Sequence, residues 1–417
     1  YSGETDDLAR IEAERRLLAN EVKAVVATSA LGMGYDKPDL GFVVHYQAPS
    51  SAIAYYQQVG RAGRALEEAH AVLLRGLEDR NIQDYFITTA FPPREKAEAV
   101  VELIANAERP VKLGELAAAV NLGQSRIGAM LKVLDVEGAV VNDRAGWVRT
   151  DEPWVYDERR YQQVTALRRA EQDAMERYGM DGHCLMRTLQ GELDDPRAGD
   201  CGRCAACAGP MFHEALDRAV VVEAQDHLRS RPLELEPRKR WPAMNGSGQK
   251  NIPPDRQLRV GRALARSGDG GWDPLVRAGR FETGRFADEL VPACVRLVAA
   301  WGPDPAPSWV AAVPSLRSGL LVPEFAARLA AALELPFVEA VARVGSGPPQ
   351  RQMENSSQQA SNVAGQFEIA AAPPAGEPVL LVDDLWFSGW TMTTIGALLR
   401  DAGSGPVHPL ALSLAGA

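Results

Sequence analysis

The sequence predicts a multidomain α/β chain, and three observations predict it. Short apolar, β-rich runs alternate with helical sequence over about the first ninety residues, four cysteines cluster near the middle, and a second strand–helix alternation fills roughly the last hundred residues. With 417 residues, 46% hydrophobic and 24% charged, the chain can bury several cores, and its composition excludes disordered, collagen-like and disulfide-scaffold classes. A formal net charge of −10 excludes a generally basic nucleic-acid coat protein and confines any nucleic-acid contact to local patches. The start has neither the basic nor the apolar part of a signal peptide, and no stretch reaches about 18 uninterrupted apolar residues, so a cytoplasmic protein without membrane contact is expected. The chain begins at Tyr1 in mid-pattern, as expected of a fragment of a longer protein.

Taken in order, Leu8, Ile11, Leu17 and Leu18 among charges predict an amphipathic helix over Glu4–Ala19. Lys23–Ala30, Phe42–Gln47 and Ala69–Leu74 have the length and apolarity of buried parallel strands, giving an α/β layer domain over residues 1–91. Pro92 and Pro93 punctuate. Helices are then expected over Glu95–Ala107, Leu113–Val120 and Gln124–Glu137, and a two-strand wing over Gly138–Arg149; three helices and a wing make a winged-helix domain at 92–150, the alternative being a plain helical connector. Arg126 and Lys132 on the third helix, with Arg144, Trp147 and Arg149 on the wing, are candidate DNA contacts, cations around a stacking aromatic. Trp147 packed on its own small core fits the pattern equally. A long charged helix over residues 157–180 leads into the cysteines, within a subdomain spanning 151–215. Residues 216–255, rich in Pro, Arg, Lys, Gly and Asn with a basic clump at Arg238, Lys239 and Arg240, are expected to be a linker. Arg256–Trp301 reads as mostly helical, before the final α/β region.

The most specific segment is Val25–Arg64, VVATSALGMGYDKPDLGFVVHYQAPSSAIAYYQQVGRAGR. The strand places Thr28 and Ser29 at its C-terminal end, where α/β sheets present groups to ligands, and Gly32 and Gly34 permit close approach to phosphate. Gln57, Arg61 and Arg64 stand at i, i+4 and i+7, which predicts one helix face carrying two guanidiniums able to clamp a triphosphate. This segment closely resembles motifs V and VI of RecQ-type superfamily 2 DNA helicases. The resemblance implies a second RecA-like motor domain over 1–91, incomplete at its start, with Gln57, Arg61 and Arg64 as nucleotide sensors and Arg64 or Arg61 as arginine finger. It further implies Asp36 near the nucleotide ribose, Gly32 and Gly34 at the nucleotide, and Thr28 and Ser29 on the DNA backbone. Neither a G-x-x-x-x-G-K-[ST] loop nor a DExH box occurs in the sequence. The expectation is therefore an ATP- and Mg²⁺-dependent 3′ to 5′ helicase of DNA repair or recombination in the intact protein, and no ATP hydrolysis by these 417 residues alone.

Cys184, Cys201, Cys204 and Cys207 stand as C-x16-C-x2-C-x2-C. Thiolates at such spacings converge on a tetrahedral Zn²⁺, and four sulfurs leave no open position, so a structural zinc site is expected. His183 is a weaker alternative ligand, since adjacent residues seldom reach one metal. The spacing matches the RecQ zinc subdomain, although there the zinc module precedes the winged helix and here it follows.

Near the C-terminus, Glu377–Gly403 (EPVLLVDDLWFSGWTMTTIGALLRDAG) offers an apolar strand that delivers Asp383 and Asp384 to a short loop opening a helix. Carboxylates there can accept ribose hydroxyls, while loop amides, Ser388, Gly389, Thr391 and the helix dipole suit a 5-phosphate. This segment resembles the motif for 5-phosphoribosyl-1-pyrophosphate (PRPP) in type I phosphoribosyltransferases. Ser315 and Arg317 fall in a match to the pyrophosphate loop, and Asn355–Phe367 in a match to a mobile loop, here without Lys or Arg. The resemblance implies a phosphoribosyltransferase-like domain over 256–417 binding PRPP with Mg²⁺. Taken together, the chain resembles actinobacterial RecQ-like helicases carrying such a domain.

Overall fold

The computed structural model describes residues 1–3, 5–28, 31, 35–76, 79–212, 215–231, 233–242, 250–315 and 319–415. The chain forms two compact units: residues 1–91 with 157–214, and residues 92–156 with 215–417.

The first unit opens with α1 (Asp7–Leu18), N-capped by the Asp6 carboxylate, which accepts the N–H groups of Leu8 and Ala9. β1 (Phe42–His45) and β2 (His70–Leu73) pair in parallel with α2 (Ala52–Val59) between them, the crossover that parallel pairing requires. Lys23–Thr28, expected as a third strand, runs extended without joining this sheet. Among its backbone bonds, the Tyr1 amino group donates to Val26 O and Thr28 N–H to Tyr1 O, each at 2.9 Å, while Thr28 O accepts Leu31 N–H at 3.3 Å; Val26 is 90% exposed. An apolar run becomes a strand only where neighbours supply a ladder and a face to bury. α3 (Asp79–Thr89) completes this segment.

Residues 92–156, in the second unit, form α4 (Arg94–Ala105), α5 (Leu113–Ala119), α6 (Gln124–Val136) and an antiparallel ribbon of β3 (Val140–Asn142) and β4 (Trp147–Arg149). The helices bury Val100, Ile104, Leu116, Ile127, Leu131 and Leu134 in one core. The i, i+3/i+4 spacing of those residues is what makes three short helices cohere.

The chain returns to the first unit with α7 (Glu158–Arg177), α8 (Leu185–Gly191) and α9 (Ala205–Ala208). α7 packs along α3, where the fully buried Gln172 donates to Asp84 at 2.8 Å and Arg75 donates to the Glu176 carbonyl at 2.9 Å.

The rest of the second unit holds α10 (Arg218–Ser230), β5 (Leu233–Leu235), a hairpin of β6 (Arg240–Trp241) and β7 (Lys250–Asn251), β8 (Gly261–Arg266), α11 (Asp273–Ala278) and α12 (Leu290–Trp301). Then come β9 (Trp309–Ala312), α13 (Leu321–Ala332), β10 (Val341–Arg343), α14 (Ser356–Val363), β11 (Phe367–Ile369), β12 (Val379–Trp386), α15 (Trp390–Asp401) and β13 (Val407–Leu414). Among the described residues, a sheet of order β5-β8-β13-β12-β9 is parallel except for β5. Alternate residues of β12 feed two cores: Val379 and Leu381 face the side covered by α14 and α15, while Leu380 and Val382 face α12 and α13.

Three expectations are revised here. The stretch 216–255 is no simple linker, because α10 and the edge strand β5 lie in it. The lead-in Arg256–Trp301 carries the helices α11 and α12 but also an unforeseen strand: GRALAR, good helix-forming sequence, becomes β8, with Ala263, Leu264 and Ala265 buried inside the sheet. Burial on both faces overrides local propensity. Asn355–Phe367 is likewise a capped helix followed by a turn and not an open loop, with the Asn355 side chain accepting Gln358 N–H.

Candidate functional site

In the first unit, Ser51 starts α2 by accepting Ala54 N–H at 3.2 Å, and the helix stops at Val59 because Gly60 caps it and Gly63 takes a φ of +77°. Gln57, Arg61 and Arg64 therefore do not share a helix face, contrary to what their spacing predicts. Gln57 is exposed on α2, Arg61 is half-buried in the turn, and Arg64 is exposed in the next bend. Glycines at two nearby positions cost a helix roughly 1 kcal/mol each. The turn is held instead by Gly63 N–H to Leu40 O and Ala65 N–H to Pro38 O, both 2.9 Å. That strap brings Arg64 to Asp36 at 2.6 Å, uniting the two motifs. With side chains 47% and 61% exposed, such a pair contributes only about 0.2–1 kcal/mol, so a phosphate or ribose can recruit either partner at small cost. Thr28 is exposed. Ser29, Gly32 and Gly34 lie outside the described residues.

The four clustered cysteines do converge: their sulfurs all lie within 4.8 Å of one another. Cys204 Sγ is 3.9 Å from Cys184 Sγ, against about 3.8 Å for the edge of a tetrahedron with Zn–S bonds of about 2.3 Å. Backbone N–H groups point at the sulfurs, Cys201 to Cys184 at 3.2 Å, Cys204 to Cys201 at 3.3 Å and Leu185 to Cys204 at 3.4 Å. Burial pushes the Cys204 thiol up, but donors led by Leu185 and Cys207 outweigh it and bring it down to about 6. This donor set fits a thiolate-bound divalent ion. His183 stands apart, its Nδ1 2.9 Å from an Asp181 carboxylate oxygen.

The second unit contains a cavity of about 520 Å³ at the C-terminal end of β12. Of the residues singled out in the sequence, Asp383, Asp384, Ser388, Gly389, Thr391 and Ser315 line it, while Arg317 lies outside the described residues. Gly389 starts α15 with a φ of +78°, and a Cβ there would meet the Trp386 ring at 2.5 Å. Only glycine fits both the backbone and the space. Arg238, from the basic clump, holds the loop from behind by donating through Nε and Nη2 to the Ser388 carbonyl at 2.9 and 2.7 Å. Ser388 Oγ is buried without a protein partner. The Asp383 carboxyl is held well above its usual range, first by burial and then by the neighbouring Asp384 carboxylate, despite a hydrogen bond from Asp384 N–H at 2.8 Å.

Sequence reasoning missed the cavity's cations. A π-helical turn over Gly279–Thr283 presents Arg280, whose Nε lies 3.0 Å from Asp384 Oδ2, and Arg343 and Arg351 also line the wall. No motif marks them. The one local signal is that Arg343 ends a strand facing the motif, while Arg280 depends on an irregular helix, a feature frequent at functional sites.

Of the five candidate DNA contacts, Lys132 and Arg144 are exposed. Arg126 is paired with Glu354. Arg149 donates to the carbonyls of Ala139, Thr150 and Glu152, stapling the ribbon to its base. Trp147 is half-buried against the three-helix core, the second of the roles its position allowed.

Comparison with known proteins bears on the first unit. Residues 1–66 match the helicase conserved C-terminal domain. The chain is 36% identical over 111 residues to the ATP-dependent DNA helicase RecQ of Synechocystis, covering 25% of this chain and 23% of that protein. It is 42% identical over 87 residues to RecQ of Bacillus subtilis, 21% and 15% of the two, and 49% identical over 65 residues to ATP-dependent DNA helicase Q1 of Pongo abelii, 16% and 10%. It thus spans less than a quarter of the length of these relatives. A structure of Mycobacterium smegmatis helicase Lhr bound to ssDNA and AMP-PNP aligns at 23% identity over 36% of this chain and 23% of that one, with a TM-score of 0.18 that supports no structural argument. No helix among the described residues is long and apolar enough to cross a membrane. The chain carries near its start a helicase C-terminal domain similar to those of RecQ-like DNA helicases.

Proposed function

We propose that this chain is part of an ATP-dependent 3′ to 5′ DNA helicase of the RecQ type, acting in DNA repair or recombination, with residues 1–91 as its second RecA-like domain. The observation that carries the reading is the meeting of Arg64 with Asp36 across motif segments otherwise 28 residues apart. A carboxylate suited to a ribose hydroxyl and a guanidinium suited to a transferring phosphoryl group stand side by side on an exposed surface. Since the 417 residues contain neither a phosphate-cradling Walker loop nor a DExH box, the first RecA-like domain is supplied from elsewhere in the intact protein. In the working motor Arg64 or Arg61 neutralises charge on the transferring phosphoryl group, and Thr28 and Ser29 contact the DNA backbone. The four cysteines hold a structural zinc ion, and residues 92–150 act as a winged helix. The test is DNA-stimulated ATP turnover: absent from the 417-residue chain, present in the intact protein, and reduced by about 10³ or more in Arg64→Ala with ATP binding largely kept. Robust turnover by the 417 residues alone would overturn the division of labour.

A second reading concerns the cavity, and the unpartnered Ser388 hydroxyl favours it. There the chain binds a phosphorylated ribose, such as PRPP with Mg²⁺ or a nucleotide. Asp383 and Asp384 take the ribose hydroxyls, Ser388 to Thr391 the 5-phosphate, and Arg280, Arg343 and Arg351 supply the positive charge for a pyrophosphate group. Binding is the committed function, and transfer to a base is a further step that depends on an acceptor.

A further inference from the structure

The excursion between β10 and β11 has two faces that do different things. Its stem is antiparallel pairing, with Val341 opposite Ile369 and Arg343 opposite Phe367. Ser346 to Arg351 line the cavity on the way out, and Asn362 and Val363 line it on the way back. The residues between are bonded to the three-helix module of the same unit. Asn121 donates to Gln352 O and accepts Glu354 N–H, both at 2.8 Å, Gln358 donates to Ala118 O at 2.7 Å, and Arg126 pairs with Glu354.

At the centre Asn355 is buried, and its side-chain amide is fully used. Oδ1 accepts Gln358 N–H at 2.9 Å, while Nδ2 lies 2.8, 3.1 and 2.9 Å from the carbonyls of Ala117, Val120 and Leu122. α5 ends at Ala119, so Ala117 lies in its last turn and Val120 and Leu122 in the segment that follows, where carbonyls look beyond the helix for a donor. One side chain therefore starts α14 on the cavity flap and finishes α5 on the neighbouring module.

We infer that residues 344–366 are a flap over the cavity whose position is set by the three-helix module, with Asn355 and Glu354 as positioning residues. Occupancy of the cavity and order at the α5–α6 corner are then linked, and the link is reciprocal. Arg126 cannot serve Glu354 and a nucleic-acid phosphate together, so nucleic acid on α6 loosens the flap, and a ligand that tightens the flap disfavours nucleic acid there. The ligand half of this rests on the phosphoribosyl reading; the mechanical half does not.

The test uses the full chain. Hydrogen exchange at residues 346–351 is expected to speed up by about tenfold in Asn355→Ala and in Arg126→Glu, with β12 unchanged, and to return to the wild-type rate when Arg126→Glu is combined with Glu354→Arg. A bound single-stranded oligonucleotide is expected to act like Arg126→Glu. Affinity for Mg²⁺–PRPP is expected to fall roughly fivefold or more in the single variants and to recover in the charge swap. Unchanged exchange at 346–351 in the variants overturns the flap, and unchanged exchange with oligonucleotide bound overturns the opposition. Wild-type PRPP affinity in Asn355→Ala overturns the link to the ligand. If the wild type binds no PRPP at millimolar concentration, the phosphoribosyl reading fails while the exchange results still decide the flap. Should Asn355→Ala not fold, the charge-swap series carries the decision.

Discussion

The N-terminal helicase-like segment and the C-terminal sheet reverse each other's strengths. Residues 1–66 match a known domain, yet among the described residues their strand β1 pairs only with β2, which lies beyond the match, and Val26 is 90% and Tyr46 78% exposed. The C-terminal unit rests on a shorter motif, but it builds a five-stranded sheet with buried residues on both faces and a cavity at the end of β12. Identity and structural completeness are separate properties. Motif chemistry resides in a few polar residues that persist on an open surface, whereas a sheet becomes evident only when its apolar faces are covered.

The sharpest way to break this comparison lies in the first unit, where four cysteine sulfurs converge and the hydrophobic core is small. Chelation, or Cys204→Ser, is expected to release about one zinc ion per chain and to unfold the region 184–208, because structural zinc supplies folding energy of about 10 kcal/mol or more in small modules. Metal analysis together with hydrogen exchange checks this; a metal-free chain of unchanged exchange would show that the thiols pack without an ion.

In the second unit, Asp383→Asn combined with Asp384→Asn should abolish Mg²⁺-dependent PRPP binding measured by calorimetry. Retained binding would move the ribose away from these carboxylates.

The single variants separate in stability. Because Asp383 is raised above its ordinary carboxyl range in the folded state, its contribution is fully present below that range and is lost as pH rises through the folded value. Asp383→Asn should therefore raise the Tm at pH 7 by a few degrees, about 2–4 °C for each kcal/mol in a domain of this size, with the gain vanishing near pH 3. Asp384→Asn loses the Arg280 ion pair and should not show this gain. Thermal melts across pH decide it.

The smallest effect is expected in the three-helix module. Lys132→Glu and Arg144→Glu should each lower the salt dependence of DNA binding by about one unit of slope, without changing sequence preference. Arg149→Glu should instead destabilise the ribbon, since its guanidinium is committed to backbone carbonyls. Equal salt slopes in all variants would remove this face as a DNA surface.

What was legible in the sequence follows from range. The cysteine spacing and the paired aspartates at a strand end are local signals: the four sulfurs converge, and the two carboxyls line the cavity. The turn after α2 defeated a periodicity argument because the helix ends at Val59, before both arginines, with glycines at 60 and 63 shaping the turn. β8 was hidden because an Ala- and Arg-rich run looks helical until strands on either side bury it. Arg280, Arg343 and Arg351 reach one cavity from separate elements, a convergence that only the fold brings about.

The contact between Gly389 and Trp386 constrains how this family of sequences can drift. Any side chain at 389 would collide with the indole at 2.5 Å and would also need a left-handed backbone. A lineage that loses the tryptophan first relieves the collision and still faces the backbone cost, whereas one that loses the glycine first loses the loop at once. The order of substitution is thereby set by geometry, and position 386 is the one free to move earlier.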